Sequence, residues 1–281
     1  MRKSLLALAV LGSLSSGLTY AEEAAPAAKE EKPSYTLAYN VGLFSQYIFR
    51  GLTQTNGDPA LQGGVDFTHD SGFYLGAWGS NISWLRDDYC TSCNTQSFYK
   101  SGGSLEMDFY GGYRSEIAKT GVTLDVGALT YYYPGTRNHE LAKANTTEVY
   151  AGLGWKWLSG KYWSVVTPQA WGWGKAAGSG DDARGTSYTE LNLTVPVGDL
   201  VSVDYLKGVS ILAHAARQNF KGHLNQSADY TDYKLGISKT TDSGLTYGAY
   251  WTATTAKDIA MTYDDKNIGH NTGTVFVQKT F

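Results

Sequence analysis

The chain has 281 residues, 23 basic and 26 acidic, for a net charge of −3, with 17% charged and 14% aromatic residues and only 2 Cys. Low charge with many aromatics excludes a disordered chain. Two cysteines exclude a disulfide-dense scaffold, and the near-neutral balance supplies no general field for nucleic acid. The 33 Gly and 21 Tyr make up about a fifth of the 281 residues, which points to an all-β protein whose side chains alternate in size.

Arg2 and Lys3 precede a short apolar run, Leu5 to Leu11, and Ala21 stands before the acidic pair Glu22 and Glu23. This is the pattern of a secretory signal peptide over residues 1–21. The run is too short to cross about 30 Å of hydrocarbon as a helix. Removal of 1–21 takes away two basic residues and no acidic ones, so the net charge becomes −5. Residues 22–34, built almost wholly of Ala, Glu, Lys and Pro, read as a flexible periplasmic tether. After Ala21 no apolar run reaches the length of a membrane helix, which leaves a secreted protein, a periplasmic protein or an outer-membrane barrel.

From Tyr35 to Phe281 apolar and polar residues alternate with period two. Thr147, Val149, Ala151, Leu153 and Trp155 oppose Thr146, Glu148, Tyr150, Gly152 and Gly154. The same split recurs at 105–114, 190–197 and 245–254, as β-strands with two different faces require. The pattern predicts twelve strands near 35–50, 60–69, 73–84, 104–116, 121–133, 146–158, 162–174, 186–197, 208–218, 229–239, 244–256 and 271–281. Tight turns at 70–72, 118–120, 159–161 and 240–243 alternate with long polar links, as in an outer-membrane meander with external loops and periplasmic turns. The link 198–207 is too long for this rule and could hide a bent strand. Aromatics at strand ends (Phe73, Tyr74, Trp84, Tyr131 to Tyr133, Trp155, Trp157, Tyr162, Trp163, Trp171, Trp173) are expected to form two belts at the lipid boundary. The terminal Phe281, with Val277, Val275 and Gly273 on its parity, resembles the C-terminal signal of such barrels, although Lys279 interrupts that face.

SQYIFRGLTQT (Ser45 to Thr55) and PALQGGVDFTHDSGFYLGAWGSNISW (Pro59 to Trp84) resemble the opening of the TorF family of porins, also catalogued as a bacterial outer-membrane family of unknown function. The resemblance covers about 40 contiguous residues. It implies an outer-membrane β-barrel that passes small solutes, and it carries over no substrate and no catalytic residue.

The expected fold is therefore all-β: a closed antiparallel transmembrane barrel over 35–281, in the outer membrane of a Gram-negative cell. Its polar parity holds Asp66, Glu106, Asp108, Arg114, Asp125, Glu148, Lys156, Glu190, Asp232 and Lys234, which would be costly in lipid and so belong in the lumen. Arg50, at the outer end of the first strand, is expected near Asp66. An excess of carboxylates predicts passive diffusion of small polar solutes or ions with a weak cation preference. The alternative is a structural or surface-interaction barrel with a plugged lumen. Cys90 and Cys93, in C-x-x-C spacing, are expected to form a loop disulfide in an oxidising compartment. No metal set, cofactor motif or enzyme signature appears. His214 is the one strand histidine that a serine hydrolase could use. Asp181 and Asp182 lie in a Gly/Asp loop that most simply is only a loop. The expected partners are outer-membrane lipid and the solutes, without nucleic acid. Homo-oligomer formation is left open.

Overall fold

The computed structural model describes residues 33–87, 97–175, 180–201, 203–223, 225–257, 261–263 and 265–281. Twelve strands close into one antiparallel barrel: β1 (Tyr35–Phe44), β2 (Ala60–His69), β3 (Phe73–Asn81), β4 (Leu105–Glu116), β5 (Val122–Tyr132), β6 (Thr146–Trp155), β7 (Leu158–Val165), β8 (Ser187–Val195), β9 (Val209–Asn219), β10 (Tyr230–Thr240), β11 (Leu245–Thr254) and β12 (Thr272–Thr280). Each strand pairs with its sequence neighbours, and β1 pairs with β12 to close the ring, with Asn40 opposite Thr280. Closure leaves no unpaired strand edge, the condition for a sheet to stand in hydrocarbon.

Alternation sets the two faces. Leu75, Leu61, Leu191, Ile237 and Val275 point outward and are exposed, and Leu235 is 63% exposed. Exposed Tyr35, Phe73, Trp155, Trp157, Tyr247 and Phe281 lie at the turn end of this apolar surface. The inward face carries the polar parity and many of the glycines. On four adjacent strands Tyr74 stands opposite Gly112, Gly112 opposite Gly127, and Gly127 opposite Tyr150. A Cβ on Gly127 would lie 2.5 Å from the Tyr150 hydroxyl, and one on Gly76 would lie 2.3 Å from the Tyr110 ring. The rings of Tyr110 and Tyr150 therefore lie over glycine backbone on the neighbouring strand.

Several expected boundaries shift. The first strand ends at Phe44 rather than at 50, and the chain turns inward there. The turn between β6 and β7 is Lys156-Trp157, with Lys156 at φ 53°, and not 159–161, because Ser159 and Lys161 belong to the inward face of β7. Lys156 is consequently not a lumen residue. It is exposed at the turn, with Nζ 4.6 Å from the Trp155 ring centre. The strand read as 162–174 ends at Val165. The irregular link after β8 holds a four-residue helix, Val197–Leu200, and a 3-10 turn, Asp204–Leu206, rather than a bent strand. Tyr74 and Trp163 face inward and are buried, and Trp84, Tyr131 and Tyr133 do not join a lipid belt either. Those three are buried inside the barrel mouth, where Trp171 and Trp173 also pack. Cys90, Cys93 and residues 1–32 lie outside the described residues.

If the outward face meets acyl chains, charge on it should cost by depth. Leu235→Arg, at mid-strand, should lower the unfolding free energy in lipid vesicles by about 2–4 kcal/mol, and Leu245→Arg, at a strand end, by only about 0–1 kcal/mol. Equal costs at the two positions in a urea titration would contradict the membrane-facing assignment.

Candidate functional site

The segment after β1 forms a small hairpin, Ile48–Phe49 paired with Leu52–Thr53, around Arg50-Gly51. Both central residues have positive φ, 47° and 80°, as a type I′ turn requires. Gly51 is needed at this tip, since a Cβ there would come within 2.6 Å of both Asp232 on β10 and Thr254 on β11. The hairpin thus hangs from β1 and reaches across the bore. Its base is fixed by Gln54 N–H donating to Tyr47 O at 2.8 Å and by Gln46 Nε2 donating to Thr272 Oγ1 at 2.7 Å. Thr53 N–H donates to Ile268 O at 2.8 Å.

Arg50 ends that reach. Its Nη2 donates to Glu148 Oε2 at 2.7 Å and its Nη1 to Glu148 Oε1 at 3.2 Å, while Nη1 also donates to Gln218 Oε1 at 3.0 Å. Glu148 stands on β6, about half-way round the ring from β1. The guanidinium lies 4.1 Å from the Tyr188 ring centre and 5.0 Å from those of Phe49 and Trp171. The side chains of Arg50 and Glu148 are 6% and 0% exposed. Two parallel N–H···O bonds, a third to Gln218 and an aromatic cage are what a buried ion pair needs to offset its desolvation. Burial alone would lower the pKa of Arg50, but the charge of Glu148 outweighs it and holds the value above the ordinary one.

Two further clusters fill the lumen. Asp125 on β5 accepts from Tyr74 OH at 2.6 Å, from Lys161 Nζ at 2.9 Å and from Arg114 Nη2 at 3.2 Å. Arg114 and Asp125 are direct cross-strand partners, and Gly152 lies between Asp125 and Lys161, leaving the lysine room to pass. The hydroxyls of Tyr74 and Tyr150 touch above the glycine pair. On the opposite wall Asp232 accepts from Tyr188 OH at 3.0 Å and lies 3.0 Å from His214 Nε2, while His214 Nδ1 lies 2.6 Å from Asn192 Oδ1. Glu190 accepts from Trp163 Nε1 at 2.8 Å and from Asn192 Nδ2 at 2.9 Å. Lys234 Nζ lies 5.5 Å from the Tyr250 ring centre. The described contacts of His214 contain no serine, so no hydrolase relay is assembled there.

The predicted lumen residues thus gather, Lys156 excepted. Arg50 meets Glu148 rather than Asp66, because the chain folds across the bore instead of continuing along the wall. Asp66 accepts from Tyr110 OH at 2.5 Å. Lys161, Gln218, Tyr47 and Tyr188 were not anticipated. The signal for Lys161 was its parity with Trp163, hidden by reading Ser-Gly-Lys as a turn. Toward the loop end, Phe49, Leu52, Trp84, Trp173, Tyr230 and Tyr263 bound a cavity of about 50 Å³, room for a water or two. Asp181 pairs with His223 at 3.2 Å and Asp182 with Arg184 at 3.0 Å. Among the described residues no group of three His, Cys, Asp or Glu side chains has metal-binding geometry.

A closed barrel with an apolar exterior and a charged, hydrogen-bonded interior defines the class: a transmembrane β-barrel of the porin-like kind. Within it, the chain belongs to the family described as "Bacterial protein of unknown function (Gcw_chp)", whose profile matches residues 28–281. No curated protein matches the sequence. Among solved structures, the chain is similar to the NanC porin at 10% identity and TM-score 0.49, over 88% of this chain and 99% of that one. It is similar to the KdgM porin in complex with disordered oligogalacturonate at 8% identity and TM-score 0.46, over 87% and 98%. It is also similar to the outer membrane protein opdK from Pseudomonas aeruginosa at 11% identity and TM-score 0.40, over 90% and 68%.

A double-mutant cycle measures the cross-bore pair. Arg50→Ala alone strands a buried carboxylate and should cost about 3–5 kcal/mol in unfolding free energy, whereas removing both charges in Arg50→Ala/Glu148→Ala should cost less than the two single changes combined. Strict additivity in urea unfolding would show that the two side chains do not stabilise each other.

Proposed function

We propose that this protein is an outer-membrane channel for small polar solutes, held closed by its own inward hairpin, with a weak preference for cations. The observation that carries the reading is the Arg50–Glu148 contact, which fixes a segment of β1's loop against the far wall. A twelve-stranded ring encloses more space than the eight-stranded kind that side chains alone fill. Here an added hairpin takes up the extra space. A segment held by one ion pair and a few hydrogen bonds is suited to move as a unit, since both ends of its reach are discrete contacts. The resemblance of Ser45 to Thr55 and Pro59 to Trp84 to the TorF porins supports the same reading. In it, residues 1–21 direct secretion.

Cation preference rests on charge count. Asp66, Glu106, Asp108, Asp125, Glu148, Glu190 and Asp232 face inward, against Arg50, Arg114, Lys161 and Lys234. Charge on a narrow bore acts through low-dielectric walls, where screening is weak. A second reading, a permanently filled barrel with a structural or surface role, is favoured by the near-complete burial of Arg50 and Glu148.

Planar-bilayer recording separates the two. A gated channel should show rare small steps in the unmodified protein and an open probability raised by about tenfold or more in Arg50→Ala/Glu148→Ala, the factor corresponding to about 1.4 kcal/mol removed from the closed state. Silence in both proteins would leave only the filled barrel. In the opened variant, adding Asp66→Asn and Glu190→Gln should move the reversal potential under a KCl gradient toward zero. An unchanged potential would remove the lumen carboxylates from any part in selectivity.

A further inference from the structure

The lumen handles its charges unequally. Asp125 has two basic partners, Glu148 has Arg50, and Asp232 has His214. Glu106 and Asp108, two residues apart on the inward face of β4, bond to no Lys, Arg or His side chain among the described residues, although they are only 1% and 8% exposed. Glu106 accepts from Tyr47 OH at 2.6 Å and also from Tyr133. Burial, and then the charge of Glu106, push the Tyr47 phenol well above its ordinary value, so it stays a donor at every working pH. Asp108 is different. Its Oδ1 is buried and makes no hydrogen bond at all. Trp78 and Tyr131 flank it on the neighbouring strands, and Tyr47 packs edge-on against Trp78 at 5.4 Å.

A buried carboxylate oxygen without a donor is expensive, and two adjacent carboxylates compound the cost. What the cluster lacks is a cation with N–H groups. The same bore shows what such a cation looks like when bound: the Arg50 guanidinium sits between one carboxylate and the rings of Phe49, Tyr188 and Trp171. Glu106 and Asp108 repeat part of that composition, carboxylates beside the aromatic residues Trp78 and Tyr131 on the neighbouring strands, with no side-chain cation supplied among the described residues. The phenols of Tyr47 and Tyr133 take up acceptor capacity on Glu106 only, which leaves Asp108 Oδ1 as the open acceptor. Flanking rings favour an alkylammonium over a strongly hydrated metal ion, because a ring face stabilises a weakly hydrated cation.

We propose that Glu106 and Asp108 form a binding site for the ammonium group of a small solute, with Asp108 Oδ1 accepting an N–H and Trp78 and Tyr131 as the flanking faces. The assignment deepens the channel reading and rests on it, since the solute must enter the lumen. The test does not depend on conductance. Thermal unfolding of the full chain in detergent is followed against methylammonium chloride, with sodium chloride at equal ionic strength as the reference. The unmodified protein should show a saturable rise in midpoint with methylammonium and a smaller one with sodium. Asp108→Asn, nearly isosteric and free of the unpaired charge, should fold at least as stably without ligand and need about tenfold more methylammonium for half-saturation. Asp242→Asn, at an exposed turn, should behave as the unmodified protein. Equal effects of the two salts, or an unchanged midpoint response in Asp108→Asn, would overturn the proposal. Binding together with silence in both the unmodified protein and Arg50→Ala/Glu148→Ala would keep the site and discard the channel.

Discussion

The interior of this barrel depends on one contact made across its full width. A ring of twelve strands encloses more space than the eight-stranded kind that side chains alone fill. Arg50, carried on a two-residue turn, crosses that bore and bonds to Glu148 on the far wall. Once the ion pair is seated, the rings around it become packed core rather than wetted wall. Tyr131 and Tyr188 are then almost wholly buried, and Tyr131 donates a further hydrogen bond to Glu148. The pair gains strength from the low dielectric it helps to create, and for the same reason it would be costly to break one-sidedly.

Below it, size alternation does the filling. Tyrosines lean over glycines on adjacent strands, and their hydroxyls meet the carboxylates that the alternating pattern directs inward. Tyr74 reaches Asp125, Tyr110 reaches Asp66, and Tyr188 reaches Asp232. An all-apolar filling would have left the strand faces indistinguishable and the register free to slip. In each of these three bonds a ring of definite length reaches over one strand to the next, tying strands two apart at a fixed step.

The strands were legible because two solvents act on one chain. Lipid and lumen impose opposite demands on alternate residues, so the period-two signal survives in Thr146 to Trp155 even though mean hydropathy is low. The hairpin was not legible, because Tyr47 and Phe49 keep the parity of Tyr39, Val41 and Leu43, so the run reads as one long strand, and the positive φ of Arg50 and Gly51 leaves no mark in that pattern. The mouth aromatics were misassigned for a different reason. An aromatic at a strand end can face either solvent, and position along the strand does not decide which. Parity does: Tyr131 and Tyr133 share theirs with Asp125, and Trp84 shares its own with Trp78 and Ser80. The pairing of Arg50 with Glu148, 98 residues apart, follows from ring closure and could not be read from local pattern.

The hairpin is also early in the chain, and every wall it touches is made later. Its ligands lie on β6 and β9, and its tip abuts β10 and β11, while β1 itself gains its second neighbour only from β12. The first loop of the barrel therefore finds its contacts only on strands that follow it in the chain. Assembly carries a hydrated guanidinium without its carboxylate partner until the walls that hold it have formed.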